Sequence, residues 1–126
     1  MPTTRQRFTF ASSAAVSDTG PPIWGELVQA RWEQTGVADT GGDLTIYAQQ
    51  READTGNGVL VVDDNDVLGA DFVRQWRSPT HDTAGVAIDT GGDFPEPVVL
   101  AGDRLRVKIT PAGGTVSGNL YIWAKD

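Results

Sequence analysis

The tripeptide Asp-Thr-Gly occurs four times in this 126-residue chain, beginning at Asp18, Asp39, Asp54 and Asp89. Two such aspartates held face to face could share one proton and activate a water molecule, because two carboxylates at close range do not both ionise. The copies at Asp39 and Asp89 extend to Asp-Thr-Gly-Gly-Asp. Hydrolysis by paired carboxylates is therefore the first chemistry that the sequence could support.

The two longer copies resemble the catalytic loop of retroviral-type aspartic proteases, and Val67-Leu68-Gly69 could imitate the apolar segment behind that loop. The Gly-Gly flap sequence of such enzymes is missing from the middle of the chain. Turns explain the recurrence more simply, because aspartate bonds to the backbone through its side chain and glycine accepts a positive φ. We predict that Asp39 and Asp89 are turn residues without a catalytic role, and a protease is a remote alternative.

A second oxygen-rich segment runs from Asp63 to Asp71 and could hold a calcium ion. It fails the EF-hand pattern, because placing Gly69 at the sixth loop position puts Leu68 at the fifth and Gln75 at the twelfth. A solvated acidic turn is the simpler interpretation, and an irregular calcium site is left open.

His81 is the only histidine, and we expect it to be a loop residue. A catalytic role as a general base would need a nucleophile and an orienting partner, which the sequence cannot place beside it.

Composition excludes further classes of function. The absence of cysteine rules out disulfides, thiol nucleophiles and cysteine metal sites, and a single histidine rules out multi-histidine zinc sites. The net charge of -7 should repel nucleic acid and anionic membranes from the chain as a whole. No apolar run approaches the roughly 18 residues of a membrane span, and no signal segment is evident. We expect a soluble product, made in the cytoplasm, that has no catalytic residues, cofactor or metal.

Strands must position all of these residues. Glycine, proline and Asp-Thr-Gly clusters interrupt the apolar segments, and none sustains a helical period for three turns, which predicts an all-β fold. About eight short strands favour an antiparallel β-sandwich or jelly roll. We predict one such domain over residues 8–126, preceded by an N-terminal arm over residues 1–7.

Period-2 alternation predicts which side chains form the core. The strand from Arg104 to Thr110 and the strand from Asn119 to Lys125 show it most clearly, and we expect them to pair as an antiparallel hairpin. The predicted core residues are Leu105, Val107, Ile109, Leu120, Ile122, Val28, Trp32, Leu44 and Ile46.

The polar sides of the same two strands predict an interface. Such a hairpin would place Arg104, Arg106 and Lys108 beside Tyr121 and Trp123, an arrangement that offers cation-π contacts. The predicted interface comprises these five residues together with Arg5 and Arg7 of the N-terminal arm. Alternatively, a loop or the arm covers the aromatic residues and the cations are only solvated. Aromatic platforms also bind sugars, so a carbohydrate-binding module is a further alternative.

Four stretches of sequence carry a family resemblance: Pro22–Trp32, the Asp-Thr-Gly-Gly-Asp-Leu-Thr-Ile-Tyr stretch ending at Tyr47, Ala101–Ile109 and Ser117–Trp123. Together they resemble small β-sandwich virion proteins of tailed bacteriophages. The resemblance implies a non-enzymatic capsid decoration or cement protein, commonly a trimer, that binds the outside of the shell. Its expected partners are copies of itself and the major capsid protein or another virion protein, and its expected location is the virion.

Overall fold

The computed structural model describes residues 3–36, 41–49, 59–76, 80–81, 87–88 and 98–125. Within these ranges all pairings between strands are antiparallel, so the predicted all-β antiparallel fold is confirmed. Nothing in them forms a helix long and apolar enough to cross a membrane. The strands are β1 (Thr3–Ser12), β2 (Val16–Gln34), β3 (Asp43–Gln49), β4 (Val59–Asp64), β5 (Phe72–Gln75), β6 (Thr80–His81), β7 (Ala87–Ile88), β8 (Val99–Thr110) and β9 (Val116–Lys125).

Strand β2 organises the main sheet, whose order is β1-β9-β2-β8-β3-β4 with β5 also paired to β2. Its 19 residues change neighbours along their length. The first part, Val16–Glu26, pairs with β8, and the second part, Glu26–Gln34, pairs with β9. Register shifts interrupt both ladders, and such bulges bend a strand. β2 therefore joins two groups of strands into one sheet, and the two separate sheets of a sandwich stay a prediction.

Two side-chain contacts link strands that are not neighbours in the sheet order. On one side, the side-chain amide of Gln6 in β1 donates a hydrogen bond to the carbonyl oxygen of Pro21 in β2 at 3.0 Å. On the other side, Arg74 of β5 forms a salt bridge of 2.5 Å with Asp64 at the end of β4. The side chains of Gln6, Arg74 and Asp64 are largely buried. These side-chain contacts thus link β1 with β2 and β5 with β4, two pairs of strands that are not hydrogen-bonded neighbours in the sheet.

The predicted core is confirmed except at Val28. The buried members are Leu105, Val107, Ile109, Leu120, Ile122, Trp32, Leu44 and Ile46. Val28 is 38% exposed. The register shift between Leu27 and Gln29 breaks the alternation there, so that Leu27 is buried and Val28 faces outward.

The expected hairpin of the last two strands is wrong. β8 and β9 do not pair with each other, because β2 lies between them in the sheet order. β8 pairs with the first part of β2, and β9 pairs with the second part. The connection over residues 111–115 can bridge the roughly 10 Å between next-nearest strands. The apolar alternation of each strand is as predicted, but alternation does not specify a partner.

The expected N-terminal arm is also wrong for residues 3–7. Thr3 to Arg7 belong to β1 and pair with β9 from Lys125 to Tyr121. The inward side of β1 begins at Gln6 and continues with Phe8 and Phe10, all of them buried. This alternation extends the strand into the segment that was expected to be free.

One copy of Asp-Thr-Gly is not a turn. Asp18 and Thr19 lie within β2, opposite Val107 and Arg106. Gly20 is buried, and a Cβ atom there would lie 2.6 Å from Oε1 of Gln6. The glycine of this copy therefore permits the close approach of β1. Asp39, Asp54 and Asp89 lie outside the described residues.

Candidate binding face

The outward side of β1, β9 and β2 carries arginine and aromatic side chains in two adjacent rows. In one row Tyr121 lies opposite Arg7 on one side and Arg31 on the other. In the next row Trp123 lies opposite Arg5 and Gln29. Residues that are directly opposite in a ladder share a face of the sheet and are close enough to interact. We call Arg5, Arg7, Arg31, Tyr121 and Trp123 the arginine-aromatic face.

Ring contacts hold the aromatic side chains in place. The ring centroids of Tyr121 and Trp123 are 6.1 Å apart with the planes tilted by 31°. Cζ of Arg5 lies 5.2 Å from the centroid of Tyr121, within the range of a cation-π contact. Both rings are half-buried, whereas the side chains of Arg5, Arg7 and Arg31 are exposed. The face therefore combines fixed aromatic surface with accessible positive charge.

The alternation of the strands explains this arrangement. Leu120 and Ile122 of β9 and Ala30 and Trp32 of β2 point into the core, so the residues between them must point outward.

Two clefts border the arginine-aromatic face. A cleft of about 460 Å³ lies beside Arg31 on the β5 side, where its lining includes Phe72 and Val73. A second, of about 270 Å³, is lined by Thr3, Val28, Gln29, Trp123 and Lys125.

The structure separates the cations of β8 from this face. Arg106 lies opposite Thr19 of β2 and Tyr47 of β3, and its guanidinium donates hydrogen bonds to Oγ of Ser17 at 3.3 and 3.2 Å. On β2, Thr19 lies opposite Arg106, and Arg31 lies opposite Tyr121. These two β2 residues are about 12 positions apart, which is roughly 40 Å along an extended strand.

The predicted interface therefore divides into two groups. The structure brings Arg5 and Arg7 to Tyr121 and Trp123, and it leaves Arg104, Arg106 and Lys108 on a different part of the sheet. Sequence reasoning missed Arg31 as a member of the face. The sequence did indicate that Arg31 points outward, because its neighbours Ala30 and Trp32 both point into the core. Only the pairing of β2 with β9 shows that Arg31 lies opposite Tyr121.

The acidic segment from Asp63 to Asp71 takes part in structural contacts through the carboxylates of Asp64 and Asp71 and the backbone of Asp66. Oδ1 of Asp71 accepts a hydrogen bond from the backbone N–H of Gln34 at 2.8 Å, and Oδ1 of Asp43 accepts one from the N–H of Asp66 at 3.1 Å. Asp64 forms the salt bridge described above. Among the residues that the structure describes, no group of three or more acidic or histidine side chains could hold a metal ion.

We predict that calcium leaves the stability of the protein unchanged. Binding to the folded state alone would raise the melting temperature, by an amount that grows with ligand concentration. Thermal unfolding in millimolar calcium and in chelator should therefore give the same melting temperature. A rise with calcium that disappears in Asp63→Asn would mean that the segment binds the ion.

His81 belongs to strand β6, where its backbone pairs with Ala87 of β7. The expectation that it lies in a loop is therefore wrong, because a short ladder includes it.

Comparison with known proteins finds no matching family model, no matching curated protein and no matching solved structure.

Proposed function

We propose that the protein is a non-enzymatic virion structural protein, a capsid decoration or cement protein that associates with itself, as a trimer, and binds the outer shell of a tailed bacteriophage. Its partner on the shell is the major capsid protein or another virion protein. The arginine-aromatic face carries this proposal, because it concentrates positive charge and aromatic area on one side of an acidic chain.

Electrostatics favours an acidic partner for this face. The chain carries a net charge of -7, yet Arg5, Arg7 and Arg31 are exposed on β1 and β2, the two strands that flank β9. A local positive region on an acidic protein steers association toward a negatively charged surface and discriminates against basic ones. A capsid shell with an acidic outer surface is a partner of this kind.

The aromatic pair supplies contact area. Tryptophan, tyrosine and arginine are enriched among the residues that dominate binding energy at protein interfaces. Tyr121 and Trp123 are fixed by their contact with each other, and Arg5 packs over Tyr121. Such a preorganised surface loses little side-chain entropy on binding. The face is therefore suited to docking against a second protein surface.

A carbohydrate-binding module is the second candidate. The cleft beside Trp123 also has polar groups from Thr3, Gln29 and Lys125 along its walls. A sugar ring could lie against the indole and form hydrogen bonds with these groups. This function predicts binding of neutral glycans that depends weakly on salt, whereas docking on an acidic shell should weaken steeply as salt rises.

Cosedimentation with capsid shells that lack the protein tests the proposal. Replacing Arg7 and Arg31 together by glutamine should weaken shell binding at least about tenfold, equivalent to about 1.4 kcal/mol. The double variant Arg104→Gln with Lys108→Gln is the matched control, because it removes the same charge from the β8 group. It should bind like the wild type.

The opposite pattern would reject the face. If the β8 variant alone loses binding, the interface lies on the other part of the sheet. If neither variant changes binding and neutral glycans bind in a Trp123-dependent way, the carbohydrate-binding module replaces the virion proposal.

A further inference from the structure

An exposed apolar patch lies beside the arginine-aromatic face. Trp24 is 60% exposed, Val99 is 69% exposed, and Val28 also faces solvent. Val99 lies opposite Glu26, two positions from both Trp24 and Val28, so the three apolar side chains share the outward side of the sheet. We call Trp24, Val28 and Val99 the Trp24 patch. It exposes on the order of 300 Å² of apolar surface, an extent that is often functional on a small protein.

The backbone around Trp24 is built to present its ring. A register shift lies between Ile23 and Trp24, and the glycines with positive φ among the described residues are Gly25, at 111°, and Gly102, at 83°. A Cβ atom on Gly102 would lie 3.2 Å from Cζ2 of Trp24. The indole therefore rests on bare backbone with its other side open to solvent. Bulges that re-aim a side chain in this way are typical of functional positions.

The charges around the patch indicate its partner. Glu26 lies directly opposite Lys125, so one exposed residue of each sign borders the apolar centre. A strongly acidic partner is attracted instead to the arginine-aromatic face, and a basic partner to the acidic remainder of the chain. Two identical patches are complementary to each other, because Glu26 of one copy can meet Lys125 of the next around a shared apolar centre.

We propose that the Trp24 patch is the contact between copies of this chain, with the patches of neighbouring copies meeting at the symmetry axis of the oligomer. This inference rests on the self-association in the proposed function and assigns it to a surface distinct from the shell-binding face. The contact is mainly apolar, and screening the repulsion between two chains of charge -7 should outweigh the weakening of the Glu26–Lys125 contacts, so self-association should strengthen as salt rises. Shell binding should weaken under the same change.

Sedimentation velocity over a range of protein concentrations tests the assignment. Trp24→Ser should weaken self-association at least about tenfold, since a central tryptophan is among the side chains that dominate interface energy. The matched control is Leu60→Ser, which removes an apolar side chain that is 45% exposed on β4. The control should associate like the wild type, and both variants should keep the wild-type melting profile.

A cross-linking experiment locates the contact directly. The chain has no cysteine, so Val99→Cys introduces a single thiol. If the patches meet at a symmetry axis, mild oxidation should convert Val99→Cys into a covalent dimer, whereas Leu60→Cys stays monomeric on a denaturing gel. Equal cross-linking of the two variants would count against the patch.

Two results would overturn the inference: a wild-type chain that stays monomeric at high concentration, or self-association that Trp24→Ser leaves unchanged. The outcome is separable from that of the proposed function. Trp24-dependent self-association without any binding to capsid shells would reject the virion function and leave this inference standing. Shell binding by a chain whose self-association ignores Trp24 would do the reverse.

Discussion

Replacing Ile122 or Leu105 by alanine should lower the free energy of unfolding by about 2 to 5 kcal/mol. Both side chains are fully buried in the hydrophobic core that the described residues form. Ile122 lies in β9 between Gln6 and Ala30, whereas Leu105 lies in β8 opposite Ala48. The two truncations remove apolar contacts from different parts of the sheet and leave cavities that rigid strand backbones cannot fill.

Urea unfolding followed by far-UV circular dichroism measures both effects. Val73→Ala is a suitable control, because Val73 is 53% exposed and a surface truncation should change stability by less than about 0.5 kcal/mol. Equal stability of the control and both core variants would mean that the two halves of the sheet do not share a packed core. A loss in only one of the core variants would mean that the other half packs loosely.

Replacing Gly118 by alanine should destabilise the fold by about 3 kcal/mol, at the upper end of the usual cost of overpacking. A Cβ atom at this position would lie 2.5 Å from the carbonyl oxygen of Glu33 and 2.5 Å from Cζ2 of Trp32. The Trp32 ring is fully buried, and its Nε1 donates a hydrogen bond to the carbonyl oxygen of Leu68 at 3.2 Å. Neither the backbone of β2 nor this ring can move away cheaply.

Gly113→Ala is the matched control for this clash, because no atom beyond Gly113 and its two chain neighbours lies within 4 Å of the Cβ it would add. Thermal unfolding should show a large drop in melting temperature for Gly118→Ala and little change for Gly113→Ala. If Gly118→Ala were as stable as the control, Trp32 would have to be able to repack, and its close approach to β9 would not be a constraint of the fold.

The two proposed surfaces share one strand. Arg31 of the arginine-aromatic face and Trp24 of the patch both lie on β2, and the cleft that includes Val28 and Trp123 connects the two regions. Docking on a shell and contact between copies could therefore occur side by side on one outward side of the sheet. Their opposite expected responses to salt allow the two events to be measured separately.

Much of the fold follows from local alternation. Leu105, Val107 and Ile109 are buried because every second residue of a strand points to the same side, and burying the apolar side outweighs other local preferences. The same rule directs Tyr121 and Trp123 away from the fully buried side. Fold class, most of the core and the aromatic members of the candidate face are therefore determined by the sequence alone.

Strand partners were decided only by the tertiary structure. Backbone hydrogen bonds between strands do not depend on side-chain identity. The local sequence of β9 therefore does not specify that it pairs with β1 and β2 and not with β8. The register shifts of β2 depend on the same long-range pairing, and they turn Val28 outward and Leu27 inward. The pairing of β2 with β9 places Arg31 opposite Tyr121, and the pairing of β2 with β8 leaves the β8 cations on another part of the sheet and Trp24 exposed beside Gly102. Each of these positions depends on which strand pairs with β2, and the packing of the whole core determines that pairing.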